Sequence, residues 1–238
     1  MNDWQNFYEE NLYPLQNGIL DCVKNSGTQF FLTGGTALSR GYFDHRYSDD
    51  LDLFVKDHPD FHGQVEQLLN SLQKNGFEID SENMVRADKF VSMMVSESSF
   101  GGQTEGRREK IAAKIDLVND SAPIFGDFVQ TPIFFRTDSW INILSNKLCA
   151  VLRLEPKDVA DIWILAKKKR FNWGEMLDQA REKELGLDPV IIADVLRGIP
   201  EHEFARIRWV DPPAWQQFIH DMDYIAGELV NGEDNSLQ

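Results

Sequence analysis

Two aspartates separated by a single residue, Asp50 and Asp52, are the side chains in this sequence best suited to chemistry. They flank Leu51, and alternation along a strand would place both carboxylates on one face, about 7 Å apart. Like charges at that spacing repel unless a cation lies between them, and carboxylate oxygens suit Mg²⁺ or Mn²⁺. The pair therefore predicts a metal site, the alternative being a solvated acidic start of a strand. Asp49 has the opposite parity and is a poorer candidate.

A glycine pair, Gly34 and Gly35, follows the apolar residues 30–32. Glycine allows a positive φ and a close approach of the backbone to a ligand. Thr36 would then open a helix whose first N–H groups face a phosphate. The two glycines and Thr36 are therefore candidate nucleotide-binding residues, although an ordinary turn has the same sequence.

The elements that must position these groups are strands joined by short connections. Residues 30–32 and 51–55 predict two strands, separated by a turn and a short helix. Residues 111–117 alternate between apolar and polar side chains and predict a later strand with Asp116 on its polar face; an ordinary surface strand is the alternative. The other elements predicted here are strands near residues 77–79, 84–86 and 90–95, one or two helices over 4–24 and a helix over 60–74. Residues 98–110 predict an exposed loop or hairpin turn, and residues 123–136 predict an edge strand and connection.

The second part of the chain predicts helices. Asp138 or Ser139 caps a helix that carries Lys147, and Pro156 separates it from a second helix that carries Asp161. Helical spacing continues over residues 173–184, 188–197 and 213–230. Taken alone, Lys147 and Asp161 would most simply form an ion pair between helices.

Composition limits the class of protein. The chain has 238 residues with 42% hydrophobic residues and a formal net charge of -15, so it can bury a full core and is poorly suited to sequence-independent binding of nucleic acid. Its two cysteines predict no disulfide framework. A leader pattern and a long apolar run are both lacking, so we expect a cytoplasmic protein without a membrane segment.

The order GGTAL followed by HRYSDDLDLF resembles the active-site signature of the DNA polymerase β-like nucleotidyltransferase superfamily. Within that superfamily it is similar to the AbiEii/AbiGii family of bacterial nucleotidyltransferase toxins. Downstream, KLCA followed by KDVADIW resembles a second motif of the same family. The likeness is clearest over residues 30–55 and 139–166.

The resemblance implies roles for further residues. Asp116 fits the third carboxylate that the superfamily commonly places on a later strand, where it would assist the metal ions and the acceptor hydroxyl. Lys147 and Asp161 match the lysine and the later aspartate of the downstream motif, with Lys147 offsetting charge on the donor phosphates. The family usually has arginine where this chain has Lys157, so the role of that position is in doubt.

These observations predict an α+β fold, with a nucleotidyltransferase-like mixed β-sheet domain over residues 1–136, a helical domain over 137–238 and the active site between them. The resemblance implies transfer of a nucleotide from an NTP, assisted by Mg²⁺ or Mn²⁺, to an acceptor that is an RNA end in toxin relatives, with an antitoxin as partner. Asp50, Asp52 and Asp116 are the predicted metal ligands. The alternatives are transfer to a protein or small molecule, and a nucleotide-binding regulator without turnover.

Overall fold

The computed structural model describes residues 3–98 and 111–237. The chain forms two compact units that do not follow sequence order strictly. The first unit comprises Met1–Thr36, Asp49–Ser121 and Gln130–Thr137, and the second comprises Ala37–Ser48, Ala122–Val129 and Asp138–Gln238. The division into domains at residues 136 and 137 stays a prediction.

The first unit opens with helices, as the apolar spacing of residues 4–24 predicts. Helix α1 spans Asp3–Phe7, a π-helical turn spans Tyr8–Leu12, and α2 spans Tyr13–Asn25. Pro14 lies where the π-helical turn passes into α2, and the backbone is right-handed helical at Leu12 and Tyr13 just before it. The three elements therefore form one continuous helical run, and the missing N–H of Pro14 falls next to the π-helical turn.

Six strands and two further helices complete the first unit. In chain order they are β1 Phe31–Thr33, α3 Gly34–Thr36, β2 Leu51–Lys56, α4 Phe61–Lys74, β3 Phe77–Ile79, β4 Val85–Ala87, β5 Phe90–Glu97 and β6 Ala112–Asp120. Asp60 caps α4 by accepting a hydrogen bond from the Gly63 N–H. The strands and α4 agree with the predicted positions to within about three residues.

The strands form one mixed sheet. Its order is β1-β2-β6-β5-β3, with β4 paired to β5. Strands β2 and β6 are parallel, and every other pair is antiparallel. The predicted mixed sheet is therefore confirmed, and β2 and β6 lie side by side near its centre.

Each central strand buries one face. Leu51, Leu53 and Val55 of β2 are buried, as are Ile115 and Leu117 of β6. Helices α2 and α4 pack on each other, α2 contacts β6, and α4 contacts β3. The alternate residues of β2 and β6 are only partly buried, and on this opposite face Asp52, Lys114 and Asp116 lie at one end of an apolar pair, Phe54 and Val118.

The second unit is helical. It contains a π-helical turn over Ala37–Phe43 and a 3₁₀ turn over Val151–Arg153, together with α5 Trp140–Ala150, α6 Pro156–Lys168, α7 Trp173–Lys183, α8 Pro189–Arg197, α9 Glu201–Arg206 and α10 Trp215–Asn231. Ser139 caps α5 by accepting from the Asn142 N–H at 3.0 Å, as predicted. Leu154, with φ of 62°, and Pro156 separate α5 from α6.

One predicted element is wrong. Residues 123–136 form no strand of the sheet in the described part of the chain. Pro123 and Pro132 lack the N–H groups that a ladder needs, and the contact with β1 is limited to a hydrogen bond from the Leu32 N–H to the Arg136 carbonyl at 3.0 Å and an isolated bridge between Leu32 and Thr137. The loop predicted over residues 98–110 lies almost wholly outside the described residues. Within the described ranges, none of the helices has the length and apolar character needed to cross a membrane.

Candidate active site

The polar face of the β2–β6 pair brings together the carboxylates singled out from the sequence. Asp50 immediately precedes β2, and Asp52 is the second residue of that strand. Asp52 pairs in register with Asp116 of β6. Paired residues of adjacent strands point to the same face, so Asp52 and Asp116 are neighbours on the face opposite Leu53 and the core.

The glycine turn lies against the same face. Thr33 pairs with Asp52, and Gly34 follows with φ of 69°. A Cβ at Gly34 would overlap the Oδ2 of Asp52 and lie 2.9 Å from its Cγ. Gly34 is therefore required both for its backbone conformation and for the room it leaves to the Asp52 carboxylate.

The rest of the turn is buried. Gly35 and Thr36 lie in α3, and the Thr36 hydroxyl donates to the backbone carbonyl of Asp50. This bond fixes the chain immediately before β2. The Thr36 side chain therefore positions Asp50, and the predicted contact of Gly34, Gly35 and Thr36 with a nucleotide stays a prediction.

Asp49 is directed away from this group. Its carboxylate accepts a hydrogen bond from the phenol of Tyr8, and its carbonyl accepts one from Gln16 Nε2 at 2.7 Å. Both partners belong to the N-terminal helical segment of the unit. Asp49 thus anchors the strand start to the helices, which agrees with the parity argument from the sequence.

Two partners of Asp116 were missed from the sequence. Ser92 of β5 donates to Asp116 Oδ1 at 2.6 Å, and Lys114 Nζ lies 2.7 Å from Asp116 Oδ2. Ser92 pairs in register with Asp116, while Lys114 precedes it by two residues and shares its face. The hydrogen bond to Asp116 raises the pKa of Lys114, and the charges of Asp50 and Asp52 add to that effect. The available sequence signal was the polar parity that Lys114 shares with Asp116.

The donor set suits a hard divalent cation in part. Carboxylate oxygens are the preferred ligands of Mg²⁺ and Mn²⁺, and the face already stabilises one positive charge, the Lys114 ammonium. Among residues 3–98 and 111–237, however, no three His, Cys, Asp or Glu side chains converge as a ready-made metal site. Asp50 and Asp52 fit as ligands, and Asp116 would join them only after a rearrangement.

Lys147 and Asp161 form a second cluster, within the helical unit. Lys147 Nζ lies 2.6 Å from Asp161 Oδ2 and 2.6 Å from Asp158 Oδ1. Lys147 is 7% exposed, and both carboxylates are fully buried. Arg153 approaches Asp158 from the more exposed side at 3.2 Å. The ion pair expected between Lys147 and Asp161 is therefore present, and its ammonium is shared with Asp158.

His45 and Arg46 complete this cluster and were not identified as site residues from the sequence. Arg46 donates two hydrogen bonds to the Asp161 carboxylate, from Nε at 2.7 Å and from Nη2 at 2.8 Å. His45 Nε2 lies 2.9 Å from Asp161 Oδ1. Backbone bonds between residues 45–47 and 208–210 hold the segment in place. The signal was the HRY sequence just before the aspartates, read only as part of a family motif.

The charges of the cluster are balanced. Burial alone would raise the pKa of Asp161, but Arg46, Lys147 and the hydrogen bond from His45 hold that pKa well below its usual range. Burial would lower the pKa of Lys147, and the Asp161 and Asp158 carboxylates outweigh it so that the pKa is raised. Two buried cations therefore face two buried anions.

His45 is neutral in this setting. Burial lowers its pKa, and the hydrogen bond to Asp161 offsets that only in part. A carboxylate can only accept, so the proton lies on Nε2, and Nδ1 has no hydrogen-bond partner in the described parts of the chain. Charging His45 would bury a second N–H without an acceptor.

The free energy of unfolding should therefore depend on pH through His45. Its folded pKa lies below the unfolded value of about 6.5, so this stability is complete above pH 6.5 and is lost as pH falls toward the folded pKa, by at most about 1.4 kcal/mol per pH unit. Urea unfolding at pH 7.5, 6.5 and 5.5 should give a shallower loss for His45→Gln than for the wild type. His202→Gln, on an exposed side chain, is the control. Identical slopes in all three proteins would contradict the assignment.

Comparisons with known proteins identify a family and similar folds. The family model described as nucleotidyl transferase AbiEii toxin, type IV TA system, matches residues 19–228. The fold is similar to a candidate nucleotidyltransferase of Helicobacter pylori, with 18% identity, a TM-score of 0.63 and coverage of 97% of this chain and 96% of that one. JHP933 from H. pylori is similar at 20% identity and a TM-score of 0.58, with coverage of 93% and 91%. No curated protein matches the chain.

Proposed function

The chain belongs to the AbiEii nucleotidyltransferase toxin family, and we propose that it transfers a nucleotide from an NTP to an RNA acceptor with the help of Mg²⁺ or Mn²⁺. The observation that carries the proposal is the register of Asp52 with Asp116, with Asp50 at the start of the same strand. This arrangement presents several carboxylates on one solvent-accessible face of a rigid sheet. A site built on paired strands keeps its geometry better than one built on loops.

Asp50 and Asp52 would hold the cation. When bound, it supplies charge stabilisation for the donor phosphates, which is the largest need of a phosphoryl-type transfer. The Thr36 hydroxyl fixes the backbone at Asp50, and Gly34 keeps the space beside the Asp52 carboxylate open. We assign to Asp116 the orientation of the acceptor hydroxyl and the removal of its proton.

We assign to Lys147 and Asp161 the role of positioning the chain segment that precedes Asp50. Asp161 accepts hydrogen bonds from Arg46 and pairs with the Lys147 ammonium, and it thereby holds the HRY segment, which leads through Ser48 to Asp49 and Asp50 along the chain. The predicted catalytic role of Lys147 and Asp161, and the predicted contact of Lys147 with donor phosphates, stay predictions. In the described structure the Lys147 ammonium already has two carboxylate partners.

The activity can be tested directly. The purified chain is incubated with each labelled NTP, Mg²⁺ and total RNA, and separately with an RNA-depleted cell lysate. Transfer to RNA from one preferred NTP, lost in Asp52→Asn, is the expected result. Label found in protein or in small molecules would show that the acceptor is of that class and not RNA. The net charge of -15 favours such an acceptor. Binding of NTP without label in any fraction would indicate a regulator without turnover.

A partner antitoxin is a second part of the proposal, supported by the type IV toxin–antitoxin description of the family. Expression of the chain alone should slow bacterial growth, and Asp52→Asn should not. Co-expression of the neighbouring reading frame of its operon should restore growth. Equal growth with the wild type and with Asp52→Asn would contradict a toxic activity.

Gly34→Ala tests the turn. We expect at least a tenfold loss of transfer, because the new Cβ would push the Asp52 carboxylate aside, and a loss of about 1–2 kcal/mol of stability from the left-handed backbone. Gly76→Ala is a matched control, since Gly76 has φ of 82° and nothing within 4 Å of its Cβ position. Thermal unfolding and transfer rate are measured for both. Equal transfer rates in the two variants would mean that Gly34 is only a turn residue.

A further inference from the structure

The ammonium of Lys114 lies on the same face as the carboxylates of the candidate site. It is 2.7 Å from Asp116 Oδ2, on the same strand and two residues earlier. In the parallel pair β2–β6, Leu51 is opposite Ile115. The preceding residues of the two strands, Asp50 and Lys114, are therefore also neighbours. Lys114 thus places a positive charge within the group of acidic side chains.

This charge has a specific effect on Asp116. One oxygen of Asp116 accepts from Ser92 and the other faces Lys114. A divalent cation on Oδ2 would lie close to the ammonium, and like charges at such distances repel strongly. Asp116 therefore becomes a full metal ligand only when the ammonium moves away.

The side chain of Lys114 is able to move. The side chain of Lys114 is 42% exposed. The side chain of Lys147, by contrast, is 9% exposed and is held between two buried carboxylates. A lysine stem that reaches solvent has several rotamers available at little cost. The described ion pair is therefore one that a competing cation is able to displace.

We propose that Lys114 is a built-in counter-ion that competes with a divalent cation for Asp116, so that metal binding at this face is coupled to release of the lysine. The inference rests on the proposed function of Asp50, Asp52 and Asp116. With no metal bound, the ammonium lowers the repulsion among the carboxylates. On metal binding, it leaves Asp116 and becomes available to another anion, for which the donor triphosphate is the suited class.

The test is the affinity of the purified protein for Mn²⁺, measured without nucleotide from the electron paramagnetic resonance signal of free Mn²⁺. Removing the ammonium in Lys114→Met should tighten binding by about tenfold. Lys114→Arg keeps the charge and should stay close to the wild type. Lys89→Met, which removes an exposed lysine paired with Asp57 at 3.6 Å, is the control for net charge. Asp52→Asn reports whether the metal binds at this face.

The outcomes distinguish the proposed metal site from the proposed counter-ion role of Lys114. Wild-type binding that is lost in Asp52→Asn but unchanged or weaker in Lys114→Met overturns the counter-ion and leaves the metal site in place. Equal tightening in Lys114→Met and Lys89→Met also overturns it, because the effect would then be one of net charge. No saturable binding to the wild type removes the metal site and the counter-ion with it. Lys114→Gln, a polar replacement, repeats the test if the methionine variant unfolds.

Discussion

Asp52→Asn is expected to lower nucleotide transfer by about 100-fold or more while leaving the fold intact. The change removes the negative charge of a proposed metal ligand but keeps the size of the side chain, and Asp52 lies on the polar face, so the core residues Leu51 and Leu53 are untouched. The measurement is the rate of label transfer at saturating NTP, with thermal unfolding to check the fold. Asp50→Asn should act in the same direction.

Asp120→Asn provides the matched control. Asp120 lies on the same strand and the same face as Asp116, at the far end of the β2–β6 pair, opposite Lys56. It carries the same charge but is four residues away from the proposed site. Transfer rates that fall equally in Asp52→Asn and Asp120→Asn, or that fall in neither, would exclude this face as the active site.

Arg46→Met is expected to lower the free energy of unfolding by about 3–5 kcal/mol. Arg46 is 4% exposed and donates two hydrogen bonds to Asp161, which is fully buried. Without the guanidinium, the buried Asp161 carboxylate keeps only the Lys147 ammonium, which it shares with Asp158, because Arg153 reaches Asp158 and not Asp161. Urea unfolding at pH 7.5 measures the effect.

A surface arginine calibrates this result. Arg197 pairs with Asp223 at 2.8 Å, but the two side chains are 41% and 74% exposed, so Arg197→Met should cost less than about 1 kcal/mol. Adding Asp161→Asn to Arg46→Met should cost less than the sum of the single changes, because the uncompensated charge is removed as well. Equal losses of unfolding free energy in Arg46→Met and Arg197→Met would show that burial of the cluster does not increase its contribution to stability.

The local elements of the site could be predicted from the sequence because they follow from periodicity. Alternation identified β2 and β6 and put Asp52 and Asp116 on polar faces, and the glycine pair marked the turn before α3. The family model and the two similar folds confirm the recognition and the fold class. Short-range patterns were sufficient for these features because each depends on fewer than about ten consecutive residues.

The contacts that decide chemistry are mostly non-local, and the sequence did not predict them. Arg46 and Asp161 are 115 positions apart, and Ser92 meets Asp116 only through the register of β5 and β6. Periodicity assigns a side chain to a face but not to a neighbour on another strand or helix. Of the two partners of Lys147, the sequence indicated Asp161 as an ion pair between helices, whereas Asp158 received no role.

Strands β2 and β6, which carry the candidate site, are far apart in the chain. This separation affects when the site forms during translation. Asp52 is made about 60 residues before Asp116, and β5 lies between them in the chain. Pairing of such separated strands is slow compared with helix formation, and chains leave the ribosome with the N-terminal part first. A nascent chain therefore carries Asp50 and Asp52 without their partner strand until β6 has emerged. The proposed transfer, which uses Asp116, is therefore expected to be absent until β6 has been made.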